Sequence, residues 1–166
     1  MAAVTFKEKP VTLTGKQLSV GDKAPEFTVL ATDLSEVKLS DSKGKVRLIS
    51  VVPSIDTGVC EAQTRKFNEE AAELGNVEVL TISVDLPFAQ RRWCAAEGIE
   101  NVQTLSDHRD LDFGKKFGVA IEELRLLSRS IFVVDSSDTV TYVEYVPEVT
   151  NHVNYDAALA AAKQAK

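Results

Sequence analysis

The sequence has few of the features that mark secreted, membrane-spanning or nucleic-acid-binding proteins. Its 166 residues include only two cysteines, and 44% of them are hydrophobic, which is enough for a core without disulfide or metal staples. No stretch approaches the ~18 consecutive apolar residues of a membrane-spanning helix. The 19 basic residues against 25 acidic ones give a net charge of −6, which argues against binding to the phosphate backbone of a nucleic acid.

The first residues also lack the pattern of a signal peptide. Residues 1–15 alternate apolar and polar side chains, whereas a signal peptide has an apolar run of roughly 7–15 residues. We therefore expect a cytoplasmic protein. Disulfides in that reducing compartment are mostly transient and serve catalysis or redox sensing. From the count alone, however, two buried cysteines acting as small apolar side chains are the more ordinary interpretation.

Metal and cofactor motifs are missing as well. Cys60, Cys94, His108 and His152 show neither C-x₂-C nor H-x₃-H spacing. The sequence contains no G-x-G-x-x-G and no G-x-x-x-x-G-K-[ST] motif for nucleotide phosphates. We expect no metal and no cofactor, so that any chemistry runs on sulfur alone.

The hydrophobic pattern predicts one α/β domain over residues 1–166. Two nearly continuous apolar runs, 46–52 and 77–84, are typical of parallel strands buried on both faces. The helix predicted over 87–97 begins with Pro87 and is stopped by Gly98. The other predicted elements are an N-terminal β-hairpin (4–6 and 11–13), strands at 27–30, 37–39 and 102–105, helices at 59–74, 111–117 and 155–165, and a hairpin over 131–146. This order matches a thioredoxin-like fold, a mixed central sheet flanked by helices, with the N-terminal hairpin as an extension.

Cys60 occupies a distinctive place in this order. Pro53 ends the first buried strand, and a helix begins within a few residues. Thr57 as N-cap makes Cys60 the third helical residue, and Asp56 as N-cap shifts this by one. In either case Cys60 lies in the first turn, where free N–H groups and the positive end of the helix dipole favour a thiolate.

The apolar pattern of the same helix bears on whether Cys60 is structural. The apolar residues at helical spacing are Val59, Ala62, Phe67, Ala71 and Leu74. Cys60 is about one hundred degrees round the helix from Val59, so it is predicted to lie beside the buried stripe. That position favours a reactive cysteine over a packed one.

The motif Pro-x-x-x-Thr-x-x-Cys after a buried strand resembles the active-site motif of the peroxiredoxin family. The likeness to its bacterial thiol peroxidase branch extends along the whole chain, through residues 12–15, 20–25, 53–60, 91–94 and 127–130. The resemblance implies that Cys60 attacks the distal oxygen of a peroxide and that Thr57 hydrogen-bonds the thiolate or the peroxide. It further implies that Pro53 shields the sulfur and that Arg129 stabilises the thiolate and the developing oxyanion, with the N–H groups of Val59 and Cys60 completing the cradle.

The resemblance also assigns Cys94 as the resolving cysteine, which forms an intramolecular disulfide with Cys60. It implies hydrogen peroxide and organic hydroperoxides as substrates, thioredoxin as reductant and a homodimer. Because the two cysteines are predicted on separate helices, we expect local unwinding during the cycle.

Two other functions are weighed against the peroxidase. A redox-sensing interaction protein with a Cys60–Cys94 switch is the alternative, but a sensor needs no cradle for a transition state. A thiol–disulfide oxidoreductase usually carries C-x-x-C, which is absent. The complete set of Pro, Thr, Cys and Arg favours the enzyme.

Overall fold

The computed structural model describes residues 4–71 and 73–166, in which most strands belong to one large sheet. The strands are β1 Val4–Phe6, β2 Lys9–Val11, β3 Leu13–Thr14, β4 Thr28–Leu30, β5 Glu36–Lys38, β6 Val46–Val51, β7 Val77–Ser83, β8 Gln103–Ser106, β9 Ala120–Ile121, β10 Leu126–Leu127, β11 Ser130–Val134 and β12 Val140–Tyr145. The helices are α1 Gly58–Ala71, α2 Pro87–Glu97, α3 Asp112–Lys116 and α4 Tyr155–Gln164, with a 3₁₀ helix at Leu39–Ser42.

The large sheet is mixed, as the sequence predicts. Its seven strands run in the order β12-β11-β6-β7-β8-β4-β5, with β6, β7 and β8 parallel and the outer strands antiparallel. All six residues of β6 are buried, because layers cover both faces of the sheet. The register places Ser50, Thr81 and Thr104 side by side across β6, β7 and β8. The predicted α/β organisation is therefore confirmed.

Two apolar clusters cover the two faces of this sheet. On one face α1 and α4 pack over β6 and β11 through Leu48, Phe67 and Leu159. On the other face α3 contributes Phe113 to an aromatic group. The rings of this group meet at centroid distances of 4.4–6.4 Å, mostly edge to face: Phe27, Phe113, Phe117, Phe132 and Tyr145. The sheet is thereby fixed as a rigid base for the loops at the carboxyl ends of β6 and β7.

The N-terminal extension is a hairpin, but its second strand begins two residues earlier than predicted, at Lys9. β1 pairs with β2 through a turn in which Lys7 and Glu8 both have positive φ. Leu13–Thr14 leaves the hairpin and pairs with β9, which also pairs with β10. The sequence does not predict β9 or β10, because a strand of two residues has no readable period.

The helices lie close to their predicted positions. α2 has the predicted bounds, and Gly98 ends it with φ +66° and its N–H on the carbonyl of Cys94. In α4 the side chain of Asn154 accepts the N–H of Ala157 as an N-cap. Along residues 4–71 and 73–166, no helix combines the length and apolarity needed to cross a membrane. The same residues contain no group of three or more His, Cys, Asp or Glu side chains placed to hold a metal ion.

Asp107, directly after β8, is a buried carboxylate that organises the start of α3. Its oxygens accept the N–H groups of Phe113 (3.1 Å) and Gly114 (2.8 Å). Burial raises the pKa of Asp107 from 3.8 to about 6, although these two hydrogen bonds act in the opposite direction. Between pH 3.8 and about 6, Asp107 therefore keeps a proton in the folded protein that it releases in the unfolded chain.

The first prediction concerns the pH dependence that follows. Because the folded pKa is the higher one, this group stabilises the fold fully below pH 3.8, and its contribution is lost as the pH rises through about 6. A shift of this size corresponds to about 3 kcal/mol. In urea unfolding of reduced protein, the advantage of wild type over Asp107→Asn should shrink by up to that amount between pH 4 and 7. An advantage that is constant over this range would contradict the prediction.

Candidate active site

The first turn of α1 begins directly after the loop that follows β6. Pro53 is buried in this loop, and α1 starts at Gly58. The hydroxyl of Thr57 accepts the N–H of Cys60 at 3.4 Å, and the Thr57 carbonyl accepts the N–H of Glu61 at 2.8 Å. Thr57 is therefore the N-cap and Cys60 the third helical residue, the first of the two predicted arrangements.

The buried face of α1 differs from the predicted stripe. It is formed by Cys60, Gln63, Thr64 and Phe67. Val59 and Ala62 are only half-buried, and the prediction that Cys60 lies beside the buried face is wrong. The reason is that two members of this face are polar, so apolar periodicity does not reveal it. Burial still does not make Cys60 a structural residue, because its sulfur has a charged partner.

That partner is Arg129, which lies between β10 and β11. Ser130, the next residue, pairs with Val51 at the end of β6, so Arg129 is held beside the loop that leads to Cys60. Its Nη2 donates to Cys60 Sγ at 3.0 Å, and its Nε donates to the carbonyl of Val149 at 2.7 Å. Its Nη1 donates to Gln63 Oε1 at 2.8 Å. The guanidinium is thus held by three hydrogen bonds, one of which goes to the sulfur itself.

The charge of Arg129 has no carboxylate partner. The side chain is only 2% exposed, and no Asp or Glu among residues 4–71 and 73–166 forms an ion pair with it. The other fully buried arginine, Arg47, is paired with Asp138. A buried cation without a charged partner is destabilising, and the Cys60 sulfur is in direct contact with this one. The site is therefore built around the contact between the guanidinium and the Cys60 sulfur.

Gln63, one turn after Cys60, orients the guanidinium. Its Nε2 donates to Ser50 Oγ on β6 at 2.8 Å, which leaves its Oε1 directed at Arg129. The amide is fully buried and bonded on both sides. The sequence analysis missed Gln63, although its spacing of three residues from Cys60 places both on the same side of the helix.

Asp85, directly after β7, holds the loop before α1. Its carboxylate accepts Ser54 Oγ (2.7 Å), the N–H of Ile55 (2.8 Å) and Ser83 Oγ (2.6 Å). Ser83 Oγ also accepts Gln90 Nε2 from α2 at 3.0 Å. The Cys60 loop and the first turn of α2 therefore share one hydrogen-bond network. Sequence reasoning missed this carboxylate too.

Cys94 is half-buried on α2, in different surroundings from Cys60. Its Sγ lies 3.5 Å from Thr104 Oγ1 on β8. Burial raises the pKa of the Cys94 thiol, and the hydrogen bond with Thr104 acts in the opposite direction. Both cysteines are free thiols. Trp93, the preceding residue, packs against the apolar cluster that contains Cys60.

The structure brings four of the five predicted site residues to one place and sets the fifth apart. Cys60 and Arg129 are in direct contact, Thr57 caps the helix that bears Cys60, and Pro53 is buried in the adjoining loop. The hydroxyl of Thr57 bonds the Cys60 N–H and the Ser54 carbonyl, so its expected bond to sulfur or peroxide stays a prediction. Cys94 lies against Thr104 on β8, which is two strands away from Ser50 on β6.

Comparisons with known proteins agree with this geometry. A family model described as Redoxin matches residues 19–159. A thiol peroxidase of Halalkalibacterium halodurans is 72% identical over 165 residues, covering 99% of both chains, and one of Bacillus subtilis is 64% identical over 163 residues, covering 98% of both. The crystal structure of a peroxiredoxin-like protein from Aquifex aeolicus is 44% identical and superimposes with a TM-score of 0.93, over 99% of this chain and 97% of that one.

These similarities establish the family. The chain belongs to the redoxin family, since the family model covers most of its length. Within that family it is an enzyme of the peroxiredoxin type, grouped with the thiol peroxidases along its full length. The thioredoxin-like fold and the resemblance noted at the motif are both confirmed.

The second prediction concerns Arg129. Arg129→Lys keeps the charge but loses the planar fork that reaches Cys60 Sγ, Gln63 and Val149 together, so the reaction of Cys60 with peroxide should slow by about 10²-fold. Arg47→Lys is the matched control, because it alters an equally buried arginine that bonds Asp138 instead. Stopped-flow oxidation of reduced protein by peroxide measures both rates. Equal rates for wild type and Arg129→Lys would show that the guanidinium fork plays no part in the reaction.

Proposed function

We propose that this thiol peroxidase reduces hydrogen peroxide and organic hydroperoxides at Cys60, is resolved by Cys94 and is reduced again by thioredoxin. The observation that carries the proposal is the 3.0 Å contact between Arg129 Nη2 and Cys60 Sγ, with no described carboxylate paired to that guanidinium. A cation buried beside a thiol favours the thiolate, which is the nucleophilic form of cysteine.

In the first step the Cys60 thiolate attacks the distal oxygen of the peroxide. A sulfur–oxygen bond forms and the oxygen–oxygen bond breaks, so the sulfur loses two electrons and the peroxide gains them. The leaving alkoxide or hydroxide takes up a proton and departs as alcohol or water, and Cys60 becomes a sulfenic acid. No cofactor takes part in this exchange.

The site stabilises the charge that moves during this step. Negative charge passes from the sulfur to the leaving oxygen, and the fixed donors of Arg129 face that region. Gln63 and the Val149 carbonyl hold the guanidinium, so little reorganisation is needed as the bond breaks. We assign to the Thr57 hydroxyl, now on the Cys60 N–H, a hydrogen bond to the bound peroxide, and to buried Pro53 the exclusion of water from the sulfur.

In the second step the Cys94 thiol attacks the sulfenic sulfur. A disulfide forms, and the sulfenic oxygen leaves as water with the thiol proton. The raised pKa of Cys94 keeps it protonated against Thr104, so it does not compete with Cys60 for peroxide in the folded state. A dithiol reductant of the thioredoxin type then returns both cysteines to thiols.

The disulfide requires movement of at least one helix. Cys60 lies one turn before Gln63, whose side chain bonds Ser50 on β6, whereas Cys94 lies against Thr104 on β8. These strands are two strand spacings apart, which amounts to roughly 10 Å. Bonded cysteines have Cα atoms about 4.4–6.8 Å apart. α2 buries only Pro87 and Gln90, so it has few apolar contacts that oppose its unwinding. We assign the movement mainly to α2.

A pocket beside the loop gives room for the organic part of a hydroperoxide. It has a volume of about 380 Å³ and lies between the loop that precedes α1 and the side of α2 that bears Trp93. Its apolar lining includes Ile55 and Trp93, and its charged lining residues are Asp56, Asp85 and Arg92. Reduction by thioredoxin fits a cytoplasmic location, and a homodimer is expected from the resemblance to thiol peroxidases.

The third prediction tests the nucleophile. Cys60→Ser should abolish peroxide consumption, because a serine hydroxyl is not ionised near neutral pH. Peroxide loss is followed with a thioredoxin system, and thermal unfolding of Cys60→Ser beside wild type is the control for effects on folding. Substantial turnover by Cys60→Ser would end the proposed mechanism. If wild type oxidises only once per chain without turnover, the redox-sensing alternative is favoured.

The fourth prediction tests the partner sulfur. Peroxide-treated wild type should contain one disulfide, Cys60 to Cys94, within a single chain, and should run as a monomer on non-reducing electrophoresis. Cys94→Ser should react once with peroxide and then pass from the sulfenic toward the sulfinic acid, because no thiol of its own chain resolves it. Peptide mass spectrometry identifies each product. A covalent dimer as the main oxidised species of wild type would exclude Cys94 as an intramolecular resolver.

A further inference from the structure

The N-terminal hairpin, β1 and β2, lies outside the part of the chain that the family model covers. That model matches residues 19–159 and so does not include the strands Val4–Phe6 and Lys9–Val11, whereas the thiol peroxidase relatives match nearly the whole chain. The backbone of β1 is nevertheless joined to the segment 147–149. The N–H of Thr5 donates to the carbonyl of Pro147 at 2.8 Å, and the Thr5 carbonyl accepts the N–H of Val149 at 2.9 Å.

Val149 connects this hairpin to the reacting sulfur. Its N–H is bonded to β1, and its carbonyl accepts Arg129 Nε at 2.7 Å. Its side chain is fully buried in a separate apolar cluster with Val4 and Leu13. A displacement of β1 therefore moves one of the two protein acceptors that orient the guanidinium on Cys60.

Glu148 fastens the hairpin to the same segment. One carboxylate oxygen accepts Thr5 Oγ1 (2.9 Å) and the N–H of Glu8 (2.8 Å). The other oxygen accepts the N–H (2.8 Å) and the hydroxyl of Thr150. The hydrogen bond from the Thr150 hydroxyl, followed by those from the backbone, lowers the pKa of Glu148 to about 2. Glu148 is thus a carboxylate throughout the pH range of a peroxidase assay.

We propose that Glu148 and the N-terminal hairpin are positioning elements of the peroxide reaction, which hold the Val149 carbonyl so that Arg129 stays on the Cys60 sulfur. The inference rests on the proposed function, since it takes Arg129 to act in the peroxide step. Without the Val149 carbonyl in place, Gln63 is the remaining acceptor and the guanidinium can turn about that bond. Misplacement of a stabilising group by about 1 Å can slow a reaction by up to 10²-fold.

Glu123 provides a matched control for Glu148. Its carboxylate likewise accepts a backbone N–H and a hydroxyl from the N-terminal segment, those of Thr12 at 2.8 and 2.9 Å. These hydrogen bonds lower the pKa of Glu123, as those to Glu148 lower the pKa of that residue. Glu123 lies between β9 and β10, however, and has no bond to the segment 147–149.

The test compares the single-turnover oxidation of Cys60 by hydrogen peroxide in reduced Glu148→Ala and Glu123→Ala proteins. Glu148→Ala should slow this step by about tenfold, whereas Glu123→Ala should stay within about twofold of wild type. Glu148→Gln keeps an acceptor oxygen for Thr5 and Glu8 and should recover part of the rate. Thermal unfolding monitors the fold of all three. Equal slowing by Glu148→Ala and Glu123→Ala would overturn the proposal.

A double-mutant cycle separates positioning from a general loss of stability. In an Arg129→Lys background the fork is already gone, so adding Glu148→Ala should slow the reaction less than twofold further. An additive, full tenfold effect in that background would show that Glu148 does not act through Arg129. If Arg129→Lys itself reacts as fast as wild type, it is the proposed role of Arg129 that fails, and the two failures are thereby distinguished.

Discussion

The hydrogen bond between Arg129 and Cys60 is the interaction on which the rest of the site depends. A buried guanidinium without a carboxylate is stable only if something nearby carries negative charge, and the sulfur is in direct contact with it. Three separate parts of the chain converge to hold this pair. These are the first two turns of α1, the junction of β10 with β11, and the segment 147–149. The junction supplies Arg129 itself, while α1 and the segment 147–149 supply neutral acceptors, which orient the guanidinium without neutralising its charge.

The two cysteines differ because their surroundings differ. Cys60 is fully buried against a cation, whereas Cys94 is half-buried against the neutral hydroxyl of Thr104, and burial raises its pKa. One chain thereby holds two cysteines in contrasting electrostatic surroundings, one beside a cation and one beside a neutral hydroxyl. The helices differ as well, since α1 buries a continuous face and α2 buries two residues. Cys94, the proposed resolving cysteine, therefore lies on α2, the helix with fewer buried residues to oppose its movement.

Much of the fold could be predicted from the sequence, and less of the site. The runs that form β6 and β7 are long and apolar, and Pro87 and Gly98 mark the ends of α2, so these elements need no tertiary information. The burial of Gln63 and the role of Asp85 depend on Arg129, Ser54 and Ile55, which are distant in sequence or unremarkable in type. Whether a polar side chain of this kind is buried depends on its hydrogen-bond partners, and the periodicity of apolar residues does not reveal it. Only the resemblance at the motif separated Arg129 from an ordinary surface charge.

The same geometry bears on how the oxidised enzyme avoids a second peroxide. In the proposed mechanism the contact with Arg129 activates the Cys60 sulfur, and that contact is made with the first turn of α1 folded and its loop held by Asp85. Asp85 also joins this loop through Ser83 to Gln90 in α2. Movement of α2 toward the disulfide therefore disturbs the network that keeps the Cys60 loop in place. In the proposed cycle, a sulfenic acid that leaves Arg129 to meet Cys94 loses the donors that would activate another peroxide, so the step proposed to resolve the sulfur would also protect it.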